Sequence, residues 1–354
     1  MRRLISIANL LFALVLALAG LSLALLLVGR RPDTTIISLF DAAFGSRLGL
    51  SETLLRTVPV LLCALAAAIP AQSGQINIGG EGQLHLGAIG TVLALSLVGN
   101  SGLMVSTMVL GAILLGGMWA AIPGVLRMRF GVNEALVTLF LNYVAISLVQ
   151  YLVHGPMRDP ASHGWPMSEP LPPAAILTPI FGTRLHWGVL LVLVVALVIV
   201  AVMRLTRTGV ELRTVGLNVR TASLVGIPVR WYWFGSLVCG GMLAGLAGYY
   251  EIAGVQHRLR TDISLGFGYS GFLVAWMCRG QFWLLFPLSV LVSGLISSAD
   301  SLQIMSGLPA ASADVVQGLL LLFVLLGQSS LAKWEQVRAV RQVLQRERKY
   351  SSWN

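Results

Sequence analysis

The chain has 354 residues, 56% hydrophobic and only 11% charged, where a soluble domain carries roughly 25% charged residues. Its net charge of +10 does not point to nucleic acid, because the basic residues flank apolar runs instead of sharing one soluble face. The three cysteines, Cys63, Cys239 and Cys278, lie inside apolar runs with no CxxC spacing, which excludes a disulfide framework or a zinc site.

Apolar runs of roughly 17–25 residues recur along the chain, each long enough to cross about 30 Å of hydrocarbon as a helix. The alternating segments of about ten residues that a β-barrel requires are absent. The expected fold is therefore an all-α polytopic membrane protein. The first run follows MRR and ends near Val28. It exceeds the apolar core of a signal peptide and no small-x-small cleavage site follows, so it reads as an uncleaved span. Further spans are expected near 54–71, 83–99, 102–125, 135–153, 187–205, 231–250, 268–281, 283–299 and 315–329, about ten in all. The run at 268–281 is short enough to be a partial crossing. Residues 1–330 read as one transmembrane domain.

Lys and Arg resist translocation, so their distribution sets the orientation. With the N-terminus inside, cytosolic segments hold 16 of the 24 Lys and Arg residues, and outer segments hold nine of the 14 Asp and Glu. Ten spans with both termini cytoplasmic fit that asymmetry. The outer loops 30–53, 154–186, 251–267 and 300–314 are each too short to fold alone as a binding domain. In the tail 331–354, Leu331, Trp334, Val337, Val340 and Leu344 recur at helical spacing between arginines, as in a basic helix lying on anionic lipid.

Two stretches carry polar chemistry. The segment 72–85, QSGQINIGGEGQLH, places Gln75, Asn77, Gly79, Gly80, Glu81, Gln83 and His85 beside or within apolar spans. Ionisable groups at membrane depth are costly and usually face a bundle interior or a water-filled path. On an unbroken helix Asn77, Glu81 and His85 would share a face, while Gly79-Gly80 argues for a break of the kind that lines transport cavities. The alternative is a cytosolic connection, with Glu81 capping the next helix. The second stretch, Arg204–Arg230, carries five arginines and cannot lie in a bilayer. Asn218 is placed to cap a turn starting at Val219 and Gly226 to end it. Its arginines either face a cytosolic partner or serve only to keep the loop inside. Gly240, Gly241, Ala244, Gly245 and Gly248 form small-xxx-small faces suited to close helix packing.

Catalysis is not expected. The only lysines are Lys333 and Lys349 in the tail, so the chain has no GxxxxGK[ST] phosphate loop. GFGYSG, with Gly266, Gly268 and Gly271, matches GxGxxG but opens an apolar span instead of following a strand, the context that a dinucleotide site demands. No metal set and no cofactor are expected.

Three motifs in order resemble one family. NIGGEGQLHLGA at 77–88 is similar to the N-[IL]-G-x-E-G-Q-x-x-x-G-A signature of bacterial ABC importer permeases of the branched-chain amino acid/simple sugar type. GVELRTVGLNVRTASLVGI at 209–227 resembles that family's cytoplasmic coupling segment, and GFGYSGFLVAWMCRG at 266–280 resembles a run in its second half. The resemblance covers residues 50–330, with nucleoside-type permeases the nearest group. Val219 stands where the coupling segment usually has Pro and Thr221 where Ala is common. Ser270 replaces a frequent Asp, and Met277-Cys278-Arg279 replaces Leu-Leu-Gly.

The resemblance implies a permease subunit of an ATP-driven importer in the inner (plasma) membrane, importing a nucleoside or related small polar solute. It implies ATP-binding-cassette ATPase subunits, a second permease chain and an extracytoplasmic substrate-binding protein as partners. Gln75, Asn77, Gly79, Gly80, Glu81, Gln83, His85, Gly266, Gly268 and Ser270 would form the solute pathway or gate. Glu211, Leu212, Arg213, Gly216, Asn218, Arg220 and Gly226 would couple to the ATPase. The alternatives are the same machinery carrying a simple sugar such as ribose, a self-sufficient ion-coupled carrier, and a structural or enzyme-anchoring membrane protein. The spans hold few ionisable groups for a proton or ion relay, and an anchoring role leaves the capped loop unexplained.

Overall fold

The computed structural model describes residues 31–306 apart from 100, 163, 181 and 279, together with scattered positions between 15 and 29 and residues 318 and 322. The expected first span is thus described only in part. The expected span at 315–329, the tail at 331–354 and Arg279 lie outside the described residues, Gly318 and Leu322 aside. Ser46–Gly294 forms one compact unit, and the described residues beyond it belong to a second.

The described elements are helical, with two isolated antiparallel bridges, Met167 to Arg260 and Pro179 to His186. They run α1 (Pro32–Phe44), α2 (Arg47–Gln72), α3 (Gly80–Val98), α4 (Met104–Phe130), α5 (Glu134–His154), α6 (Gly188–Leu205), α7 (Arg207–Leu217), α8 (Val219–Leu224), α9 (Val229–Tyr250), α10 (Phe267–Met277) and α11 (Leu285–Ser306). A π-helical turn, Glu251–Gln256, continues α9. Among the described residues six helices are long and apolar enough to cross a membrane: α2 to α6, and α9 with its π turn. α10 has 11 residues and rises only about 16 Å at 1.5 Å per residue, too little for a crossing.

Helix ends depart from the expected spans at the start of α2 and the end of α9, where an apolar run meets a charge. α2 begins at Arg47, seven residues before the expected start, with Ser46 accepting from the Gly49 N–H at 2.9 Å. The expected outer loop 30–53 therefore contains α1 and the first turns of α2, and Glu52 and Arg56 are helical. α9 likewise carries Glu251 into its π turn.

Within the larger unit the helices sort by burial. The most apolar stretches of α2, α9 and α3 are 83%, 72% and 61% buried, against 33%, 28% and 22% for α4, α5 and α6. The outer helices turn large apolar side chains such as Leu114, Phe140 and Leu197 outward, as lipid-facing surfaces do. α9 packs against α2, α3 and α4, and α10 against α2 and α3. Lipid tails are as apolar as a leucine core, so close packing of small residues is what holds such helices together. A Cβ on Gly87 of α3 would stand 2.2 Å from the Gly245 oxygen of α9, and one on Gly248 would stand 2.2 Å from the Leu84 oxygen. The small-xxx-small pattern of α9 is the crossing itself.

On the expected outer side the loops 155–187 and 257–266 pair through backbone bonds. Ser168 and Leu171 donate to the Leu259 and His257 oxygens at 2.9 and 2.8 Å, and Leu177 donates to Ala253 in the π turn at 2.9 Å. Beneath them His186 is 1% exposed and its ring lies 4.5 Å from that of Tyr250.

Candidate functional site

α2 ends at a reversal. The Pro70 oxygen accepts from the Ser73 and Gln75 amides at 2.9 and 3.1 Å, and Gly74 takes φ +76°. Gln75 to Gly79 then run without helical bonds through the interior of the unit until α3 begins at Gly80. This is the break that Gly79-Gly80 suggests, placed a few residues earlier.

A buried, non-helical backbone must find partners elsewhere, and here α5 supplies them. The Ile76 amide donates to Glu134 Oε1 at 3.0 Å and the Ile78 amide to Thr138 Oγ1 at 3.2 Å. Asn142 donates to the Ile78 oxygen at 2.9 Å and accepts from the Gly82 amide at 2.8 Å. Asn77 donates to the Ala66 oxygen at 3.1 Å, accepts from the Gly79 amide at 3.0 Å, and exchanges bonds of 3.2 and 3.1 Å with Gln83. Gln75 accepts from Ser73 at 3.1 Å and from Ser236 of α9 at 2.9 Å. Gln75, Asn77, Glu81, Gln83 and His85 are all nearly inaccessible.

Glu81 joins this segment to the second half of the unit. Its Oε2 accepts from the Gly268 amide at 2.7 Å, in the first turn of α10, where a carboxylate is favoured by the helix dipole. A Cβ on Gly268 would lie 2.0 Å from the Glu81 nitrogen, and one on Gly271 would lie 2.5 Å from the Cys63 Cβ. The GxGxxG glycines thus allow α10 to pack directly on α2 and α3, and Gly266 starts α10 at φ +75°. His85 Nδ1 lies 2.8 Å from the Glu81 oxygen one turn back. Ser270 is fully buried in α10. Of the residues expected on the pathway, Asn77, Gly79, Gly80, Glu81, Gln83, His85 and Gly268 are therefore brought together as a bonded knot, while Gln75 is tied to Ser73 and Ser236.

The hairpin at 204–230, expected on the cytosolic side, is as ordered as its caps suggest. Thr206 caps α7 weakly, at 3.5 Å to the Gly209 amide, and Asn218 caps α8 at 3.1 Å to the Thr221 amide. Gly226 follows at φ +81°. Glu211 bonds both Arg207 and the Tyr232 hydroxyl of α9, and the hydroxyl, then the guanidinium, hold its carboxyl below the ordinary value. Leu212 is buried and Arg220 is exposed. Arg213 turns back on its own chain, donating to the Gly209 and Met203 oxygens at 3.0 and 3.2 Å. Gly216 lies against the end of α2, where a Cβ would stand 2.1 Å from the Gln72 oxygen, and Trp233 of α9 donates to Ser73 at 3.3 Å. The hairpin is thereby seated on the residues from which the buried segment departs.

Ser73, Glu134, Thr138, Asn142 and Ser236 escaped the sequence reading. Glu134, Thr138 and Asn142 stand at i, i+4 and i+8 in an apolar helix, a polar stripe that helical periodicity exposes. Glu134 is also ion-paired with Arg127, whose guanidinium lies 4.8 Å from the Trp233 ring.

Residues 49–325 match the family model described as branched-chain amino acid transport system / permease component. The chain belongs to this permease family. It is 32% identical over 322 residues to a glucose ABC transporter permease protein of Haloferax volcanii, covering 88% of this chain and 84% of the relative. It is 29% identical to a guanosine ABC transporter permease protein of Bacillus subtilis, covering 89% and 91%. It is 27% identical to a nucleoside ABC transporter permease protein of Lactococcus lactis, covering 83% and 81%. With its apolar helices, this makes the permease a multi-pass membrane protein.

Proposed function

We propose that this permease is the membrane-spanning subunit of an ATP-binding-cassette importer that carries a nucleoside across the plasma membrane. In this reading about ten spans leave both termini in the cytoplasm. ATPase subunits grip the Arg204–Arg230 hairpin, a second permease chain completes the pathway, and an extracytoplasmic protein delivers the solute. The observation that carries the reading is the seat of Gly216 on Gln72. A partner that moves α7 moves the end of α2 and, through Ser73 and Gln75, the segment that Glu81 ties to α10. A secondary carrier has no use for such a connection between a cytosolic hairpin and the membrane interior.

The glucose permease relative, at 32% identity, favours a second substrate reading, a simple sugar. Both readings are tested by uptake of labelled guanosine into cells expressing the permease with its neighbouring subunits, with and without the ATPase, against unlabelled glucose, ribose and leucine. ATPase-dependent uptake indifferent to all three competitors supports the nucleoside reading. Inhibition by a sugar moves the substrate to carbohydrates. Uptake that persists without the ATPase refutes the importer mechanism.

A further inference from the structure

A cavity of about 170 Å³ opens on the expected outer side of the larger unit, between the first turns of α2, the π turn after α9 and the start of α10. Its polar wall is Glu52, Arg56, Arg184, Glu251 and Gln256. Glu251 is only 3% exposed, and its carboxyl lines the cavity together with the Arg56 and Arg184 guanidinium groups. Arg184 also donates to Glu52 at 3.1 Å across the mouth. Its apolar lining includes Leu55, Ile263 and Phe267. The π turn places Glu251 and Gln256 on this wall, and wide turns of this kind inside helices frequently mark functional sites.

We infer that this cavity is a solute-binding site that takes the polyhydroxylated, uncharged part of the transported molecule, the sugar ring of a nucleoside or a free monosaccharide. The wall sets carboxyl groups beside guanidinium groups, so hydrogen-bond acceptors and donors stand side by side around the cavity. Paired planar donors and acceptors suit vicinal hydroxyls, each of which both donates and accepts. The apolar wall suits the C–H face of a sugar, in the usual pattern of a pocket with a few orienting polar groups. The volume lies below the roughly 300 Å³ at which drug-sized pockets begin, which fits one ring and not a larger solute. The cavity also reaches the knot. Phe267 on its wall precedes Gly268, whose amide holds Glu81. A solute seated here touches the element that the cytosolic hairpin moves.

This inference rests on the importer reading, and the test separates the two. The complete importer, reconstituted in liposomes with its ATPase and binding protein, is assayed for uptake of labelled guanosine, glucose and leucine. The chains compared are the wild type, Glu251→Gln and Glu52→Gln. Each variant replaces one carboxyl group of the wall with an amide, which is expected to weaken binding about tenfold or more. For whichever of guanosine and glucose the wild type carries, the expected result is a KM raised at least about tenfold in both variants, in complexes that still co-purify. Unchanged KM with ATP-dependent uptake overturns the site and leaves the importer intact. Wild-type uptake of leucine alone, with neither polyol carried, overturns the ligand class. Uptake independent of ATP overturns the importer reading itself. If Glu251→Gln fails to assemble, Glu52→Gln, at the partly exposed mouth, decides alone.

Discussion

Glu81 gives the sharpest test of how the permease interior is held. Glu81→Ala removes the acceptor of the Gly268 amide, a 2.7 Å bond between two buried residues. Loss of a hydrogen bond to a charged group costs about 1.5–3 kcal/mol, and loss of the carboxylate at the α10 N-terminus adds about 0.3–1 kcal/mol. The sum of about 2–4 kcal/mol raises the population open at this junction by about 30- to 700-fold, at 1.4 kcal/mol per decade. Cys63 reports the opening, because it is 1% exposed and packed where α2, α3 and α10 meet. In a Cys239→Ala, Cys278→Ala background, maleimide labelling of Cys63 in the assembled importer is expected to accelerate by at least about 30-fold in Glu81→Ala. Glu81→Gln keeps an acceptor oxygen and is expected to stay within about tenfold of the parent. Labelling of Glu81→Ala at the parental rate would refute the knot as a stabilising junction. Parental labelling combined with lost transport would move Glu81 from structure to the solute path.

Other consequences follow from the same contacts. Gly87→Val drives a side chain into the Gly245 backbone of α9 and is expected to abolish folded permease in the membrane. Gly235→Ala, with nothing within 4 Å, should express normally, and equal yields of the two would contradict the crossing. Arg220→Glu should reduce co-purification of the ATPase without shifting the thermal midpoint of the permease. Arg213→Glu should reduce both, since its guanidinium holds the Met203 and Gly209 oxygens; an unaltered midpoint would argue against that brace. Burial, then the neighbouring His257, pushes His186 down to about 4 from its ordinary 6.5. The unfolded chain binds this proton first, so stability falls as pH drops from 6.5 to about 4. His186→Phe should flatten that part of the thermal midpoint's pH profile, and an unchanged slope would exonerate His186.

Much of the architecture was legible because it depends on local chemistry. Hydropathy marks α2 to α6 and α9 without any knowledge of their neighbours, since a span needs only length and apolar side chains. The caps at Asn218 and Gly226 are equally local, acting within a turn of their own backbone. Charges misled the reading at span ends. Glu52 and Glu251 end an apolar window but not a helix, because backbone bonding continues where a side chain reaches a polar cavity or partner. The stripe Glu134, Thr138 and Asn142 was available at helical spacing, although nothing local says what it faces.

By itself the sequence determined that this chain is an assembly of apolar helices with a capped polar hairpin at 204–230, and that Gly79-Gly80 lies near a break. Only the tertiary structure decided what the break is for. The backbone freed at Ile76 and Ile78 carries a desolvation cost that no residue nearby in sequence relieves. Its partners stand 58 to 64 residues away on α5, and the bond that closes the knot joins Glu81 to Gly268, 187 residues later.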